Sequence, residues 1–273
     1  GVNVVGSSYH SAQTCGANFL LKHALKYRGL WLQKKVCEKA NTASYITTNY
    51  LQTIYPTVGN SFVCSNVDLP ESAIVSKEQI NEKLASLERK KQFKVYHMGT
   101  MGALYKNQDT LIRATKVCRD NGMDVELNLI GDGKYRKFYE KVALNYDIRD
   151  HVKFLGFLPQ GKKVMNQLDK ADIFAFPSLT EGQGRALIEA MARGLPCIGS
   201  NVGGIAELLD EKYLFEPKDY HSVAKLLMYL IKSPSEMKSQ AFRNLAFSKR
   251  FSKDKLMQKR IDFFKKVVEV SNG

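Results

Sequence analysis

Ile173-Phe174-Ala175-Phe176-Pro177-Ser178-Leu179-Thr180-Glu181-Gly182-Gln183-Gly184-Arg185-Ala186-Leu187-Ile188-Glu189-Ala190-Met191-Ala192 is the stretch around which the chain is organised. An apolar strand runs into a proline, then an acidic glycine turn, then an amphipathic helix. Gly182 and Gly184 let the backbone approach a ligand closely. The helix that follows aims unpaired N–H groups and its positive dipole end at the same spot. Glu181 and Glu189 bracket the turn, one before the helix and one about two turns along it. Glutamates at that spacing do nothing for packing. One can reach a ribose diol and the other a sugar ring, while Arg185 adds a guanidinium beside the anion site.

The same rhythm extends on both sides. Strands are expected over 93–98, 125–130, 152–155, 173–176, 196–200 and 213–215. Helical stretches over 108–120, 134–146, 163–168, 184–193, 204–209 and 222–231 alternate with them. Such alternation specifies an α/β fold, a Rossmann-like parallel sheet with helices on both faces. Its ligands bind beyond the carboxyl ends of the strands. Before it, 2–5 and 43–47 read as strands, 18–40 as a helix, 66–70 as extended chain, and a helical turn ends at Tyr55-Pro56. Ser76 and Gln79 form a capping box for a helix over 77–90. The division expected is a partial N-terminal domain over 1–70, a charged linker over 71–91, a main domain over 92–250, and a C-terminal helix over 251–273 that packs back on the first domain.

Composition narrows the partners. The chain has 273 residues, enough for a large core, with 41 Lys+Arg against 27 Asp+Glu, a net charge of +14. That excess suits phosphorylated ligands or an anionic surface. No zinc finger, aromatic RNA-binding motif or compact Lys/Arg block accompanies it, so nucleic acid is not expected. The helix over 18–40 mixes Lys22, Lys26, Arg28, Lys34, Lys35 and Lys39 with Leu25, Trp31 and Leu32. It reads as a core-facing helix with a basic solvent face, because Gly29 interrupts the pattern; a helix lying on an anionic membrane is the other reading. The five dispersed Cys lack metal spacing and favour reduced thiols and a cytoplasmic setting. The sequence starts without Met inside a strand-like run, so a fragment is expected.

Further glycine turns follow the other strands. Gly99-Thr100-Met101-Gly102 precedes Lys106, whose ammonium can neutralise a phosphate. Gly131-Asp132-Gly133 offers a place for a nucleotide ring against the backbone. Either turn alone would be an ordinary strand-to-helix connection. So would Gly203-Gly204 before Ile205-Ala206-Glu207. Neither the dinucleotide glycine pattern nor a Walker A sequence occurs.

Taken as a set, the motifs are specific. Glu181-Gly182, six residues, then Glu189-Ala190-Met191-Ala192, with Gly194 and Pro196 and the run Ser200–Glu207, closely resemble the C-terminal domain of group 1 (family 4) glycosyltransferases. Gly99-Thr100, Lys106-Asn107-Gln108-Asp109, Ile130-Gly131-Asp132-Gly133 and Leu155-Gly156 fall in that family's order. The resemblance implies a GT-B architecture, with two Rossmann-like domains and the active site between them. It implies retaining sugar transfer from a nucleotide diphosphate donor to a saccharide or lipid-linked acceptor, with no obligatory metal or other cofactor. By the same resemblance Glu189 holds the ribose and Glu181 the transferred sugar. Lys106 and the backbone of Gly182, Gln183 and Gly184 bind the diphosphate, with Gly99 and Thr100 beside it, and the base stacks near 131–134. Glu181 and Lys106 are thus the catalytic candidates. Many relatives have an arginine where this chain has Thr100, and Arg185 is expected to supply that charge. His10 and His97 are acceptor-activating candidates by residue type alone. The alternatives to a polysaccharide-building transferase, at the inner face of a membrane, are an inactive nucleotide-sugar-binding module and, with poorer motif agreement, a nucleotide-sugar epimerase.

Overall fold

The computed structural model describes residues 1–7, 19–87 and 90–272. The alternating region folds as expected. Strands β4 (Gln92–Met98), β5 (Asp124–Ile130), β6 (Val152–Gly156), β7 (Ile173–Phe176), β8 (Cys197–Ser200) and β9 (Leu214–Phe215) lie side by side in the order β6-β5-β4-β7-β8-β9, all parallel. β7 and β8 are buried at every position because helices cover both faces of the sheet. The covering helices include α4 (Gln108–Asp120), α5 (Arg136–Asn145), α6 (Lys162–Leu168), α7 (Arg185–Ala192), α8 (Tyr220–Lys232) and α9 (Pro234–Ser248). The chain enters at β4, walks outward to β6, and returns to lay β7 on the other side of β4. A crevice opens at that reversal, beyond the strand ends.

A second, smaller sheet has β1 (Val2–Val4), β2 (Thr42–Tyr45) and β3 (Asn60–Val63) parallel in that order. Helices α1 (Phe19–Glu38) and α2 (Tyr50–Ile54) belong to it. The tail helix α10 (Lys253–Asn272) lies against β2 and β3, with Leu256 and Phe263 buried and Phe263 edge-on to Phe62 at 5.7 Å. Between the sheets, α3 (Lys77–Leu87) carries the capping box. Ser76 N–H donates to Gln79 Oε1 at 2.9 Å and Gln79 N–H donates to Ser76 Oγ at 3.2 Å. Val75 and Ile80 pack on Ala241 and Leu245 of α9, so this charged segment is docked rather than loose. Cys37, Cys64, Cys118 and Cys197 are buried free thiols.

The stretch over 66–70 runs outside both sheets as extended chain, as expected, with Leu69 in an isolated bridge to Ser252. Four features differ from expectation. The third strand of the small sheet, β3, was not foreseen. The helix expected over 204–209 is a single 3-10 turn, Gly203–Ile205, followed by further turns, and Gly203 at its start has a positive φ of 53°. Helix α9 was not foreseen. α1 runs straight through Gly29, and its apolar side chains do not all face a core: Leu25, Tyr27, Trp31, Leu32 and Val36 are exposed, while Cys37 is buried.

Candidate donor-binding site

The crevice between β4 and β7 is shaped by two turns stitched to each other. After β4, a 3-10 turn at Leu104–Lys106 is reversed by Asn107, which adopts a left-handed φ of 58°. The buried Asn107 side chain donates from Nδ2 to the Pro177 carbonyl at 3.0 Å, and Leu179 N–H donates to the Tyr105 carbonyl at 2.7 Å. These bonds hold the turn after β4 against the stretch after β7. Lys106 is thereby laid across the Phe176 ring, its Nζ 5.0 Å from the ring centre. Its Nζ meets Glu181 Oε2 at 2.5 Å. The two side chains are only 12% and 19% exposed, so the pair is drier than a surface salt bridge.

Around the pair lies a pocket of about 460 Å³, a size that accommodates a small-molecule ligand. Gly99, Thr100, Gly131 and Asp132 form one wall, and Arg185, Ala186 and Glu189 of α7 form another. Gly131 has no substitute there. Its φ is +134°, and a Cβ would fall 2.0 Å from the Gly99 carbonyl oxygen, so only glycine lets the turns after β4 and β5 touch. Gly133 does not line the pocket; it packs on the backbone of Met101 and Gly102. Asp132 accepts from Gly133 N–H at 2.7 Å and from Arg136 Nη1 at 3.1 Å, and these contacts, the backbone one first, hold its carboxyl below the usual range.

Glu189 faces the pocket from the second turn of α7. Burial pushes its carboxyl up, and the Arg185 guanidinium one turn earlier partly offsets the shift. Arg185 itself is exposed at the pocket rim. The other turn residues expected on the ligand divide. Gly184 caps α7 and packs beside Phe176 and Ile205. Gly182 lies against the Val5 carbonyl, where a Cβ would sit 2.8 Å away. The Gln183 side chain, as distinct from the backbone expected on the diphosphate, turns away from the pocket: its Nε2 donates to the Ile46 carbonyl and its Oε1 accepts from Ser65 Oγ at 2.5 Å.

His97 is fully buried among Phe174 and Phe176, its ring centre 5.8 Å from that of Phe176. Its Nδ1 lies 3.0 Å from the Ala175 carbonyl and donates to it, and Nε2 is left without a partner. Burial lowers its pKa to about 3, so it stays neutral, and it has no access to an acceptor. His10 lies outside the described residues. Among the described residues no group of three or more His, Cys, Asp or Glu side chains is gathered as a metal site would require.

Sequence reasoning missed the third wall, Phe157, Leu158 and Gln160. It is the loop after β6, and the rule that ligands sit beyond strand ends points there equally well.

A family model described as glycosyl transferases group 1 matches residues 78–268. The chain belongs to the group 1 glycosyltransferases. It is 31% identical to Protein CapJ of Staphylococcus aureus over 246 residues, which cover 89% of the chain and 59% of CapJ. An uncharacterized glycosyltransferase of Haemophilus influenzae is 26% identical over 88% of the chain and 65% of its own length. The chain thus spans about six-tenths of these relatives. Among solved structures, Anabaena HepE in complex with UDP and glucose superposes with a TM-score of 0.73 at 21% identity, over 91% of the chain and 69% of HepE. A sucrose-phosphate synthase from Thermosynechococcus elongatus gives 0.79 at 16% identity, over 98% of the chain and 68% of the synthase. These superpositions establish the GT-B fold.

Proposed function

We propose that this chain forms the donor side of a retaining glycosyltransferase. It moves a sugar from a nucleoside diphosphate to a saccharide or lipid-linked acceptor in polysaccharide biosynthesis. The observation that carries this reading is the Lys106–Glu181 pair, set at the switch point of a parallel sheet in a pocket that also holds Glu189. In the loaded site Lys106 leaves Glu181 for the diphosphate, and Glu181 accepts from the sugar hydroxyls. Glu189 takes the ribose diol as a hydrogen-bond acceptor. The base lies between the turn at 131–132 and the loop at 157–160. As the glycosidic bond breaks, negative charge grows on the departing diphosphate. Lys106, the first N–H groups of α7 and Arg185 are oriented to stabilise it. Those positive groups serve where a metal ion would otherwise act, so no metal is required. HepE, with UDP-glucose bound in a related structure, supports a uridine diphosphate sugar as the first donor to try.

The exposed Leu25, Trp31, Leu32 and Val36 of α1, interleaved with Arg28, Lys34 and Lys35, fit peripheral contact with an anionic membrane at its cytoplasmic face. No helix among the described residues is long and apolar enough to cross a membrane.

The test is incubation of the full chain with UDP-glucose and UDP-N-acetylglucosamine labelled in the sugar. Release or transfer of label, reduced about 100-fold or more in Glu181→Ala, is the expected result. UDP binding by calorimetry with no turnover of either donor makes the chain a nucleotide-sugar-binding module instead. Absence of both binding and turnover rejects the donor-site reading for uridine nucleotides.

A further inference from the structure

Glu207 lies outside the donor pocket, on the turn after β8, and its carboxylate reaches across to the small sheet. It accepts the backbone N–H groups of Thr48, Asn49 and Tyr50 at 2.6, 2.9 and 2.5 Å. These groups open α2, whose N-cap Asn49 makes no side-chain cap bond of its own. The first turn of α2 is therefore capped from the other sheet.

The turn that carries Glu207 is also pressed onto the Glu181 loop. Gly204 N–H donates to the Gly182 carbonyl at 3.1 Å. A Cβ on Gly203 would fall 2.0 Å from the Glu181 carbonyl oxygen, and one on Gly204 would fall 2.3 Å from that of Gly182. From the opposite side, Gln183 fastens the same loop to Ile46 and Ser65, at the ends of β2 and β3. The backbone of Glu181 is thus gripped between the Gly203-Gly204 turn and the small sheet, and Glu207 joins those two jaws.

We propose that Glu207 is a positioning residue for Glu181. It locks the segment at 46–50 against the Gly203-Gly204 turn, and that lock fixes the Glu181 backbone where its carboxylate meets the transferred sugar. The inference rests on the reading of Glu181 as the sugar-gripping carboxylate. Every residue lining the donor pocket lies between Met98 and Glu189, and none of them touches Glu207 through a hydrogen bond. Glu207 therefore acts on turnover rather than on nucleotide affinity.

Full-length Glu207→Gln and the milder Glu207→Asp test this by three readouts. In Glu207→Gln the amides of Thr48, Asn49 and Tyr50 exchange with solvent at least about tenfold faster. The Gln183 side-chain amide loses its protection along with them, and Glu207→Asp lies between it and the wild type. The UDP dissociation constant by calorimetry stays within about twofold. UDP-glucose hydrolysis falls at least about tenfold in kcat with KM unchanged. Faster exchange confined to 48–50, with Gln183 still protected, overturns the proposal by making Glu207 a helix cap only. So does a loss of UDP affinity that matches the loss of kcat. A wild type that turns over no donor rejects the transferase reading alone, because the exchange at Gln183 still decides whether the two jaws are coupled.

Discussion

Lys106 is one of 41 basic residues, yet it is set apart by what surrounds it: a carboxylate at 2.5 Å and an aromatic ring beneath. Its neighbour at the rim, Arg185, is exposed, and on the proposed donor reading it supplies a cation to the diphosphate. Arg185→Ala is expected to weaken UDP binding about 10-fold, as for loss of one charge-assisted contact, in calorimetry at fixed salt. Unchanged affinity removes Arg185 from the diphosphate. His97 gives a pH signature. Its folded pKa of about 3 lies below its ordinary value of 6.5, so the unfolded chain binds the extra proton between those limits. Stability is full above pH 6.5 and is lost as pH falls toward 3. The loss from this residue is about 2 kcal/mol by pH 5. Comparing urea midpoints at pH 7 and pH 5, His97→Phe is expected to show a shallower decline than the wild type. The glutamates and Lys106 were legible in the sequence as chemistry. The direction of the Gln183 side chain was not, since a residue in a glycine turn can face either wall.

At the scale of elements, β7 and α7 were plain because their apolar pattern is uninterrupted, and β7 occupies the residues expected. Helix α9 was hidden for a physical reason. Its buried stripe contains Gln240, Asn244 and Ser248 beside Met237, Ala241 and Leu245, so the apolar period that marks a helix is broken by polar side chains. Gln240 and Asn244 face inward because they bond the backbone at and just before β8. Gln240 accepts from Cys197 N–H at 2.9 Å and donates to the Cys197 carbonyl at 2.7 Å, and Asn244 donates to the Leu195 carbonyl at 2.8 Å. Gln240→Leu leaves two buried backbone groups at the start of β8 unpaired. It is expected to cost about 2–4 kcal/mol in urea unfolding, despite making the stripe more apolar. A smaller test concerns α8, where Asp219 accepts from Ser222 N–H at 3.0 Å. Asp219→Ala is expected to cost about 1 kcal/mol, with Asp219→Asn close to wild type. β3 escaped notice because two of its four residues are polar and exposed, too short a run for alternation to register.

Across the whole molecule, the large sheet and its strand-end pocket could be argued from residue pattern, while the contact between the two sheets could not. Gln183 to Ile46 and Glu207 to Thr48 join positions 137 and 159 residues apart, and no local periodicity encodes such partners. Because the pocket is built on the large sheet, a nucleotide that fills it stabilises that whole unit. At 100-fold excess over its dissociation constant, UDP is expected to add about 2.7 kcal/mol. That corresponds to a rise of about 5–10 °C in the thermal midpoint. Lys106→Ala is expected to shrink the shift, and an equal shift in the variant places UDP elsewhere.

The Lys106–Glu181 pair has a consequence for what the empty protein accepts. With each charge answered by the other, the centre of the pocket is nearly neutral to a passing ion. A phosphate alone can relieve Lys106 only by stranding Glu181, and a free sugar can engage Glu181 only by stranding Lys106. On the proposed donor reading, a nucleotide sugar brings both halves at once, so the pair acts as a two-key lock. That reading also has the remaining nucleotide hold one key once the sugar has left, with the lysine and glutamate closing on each other again as it departs.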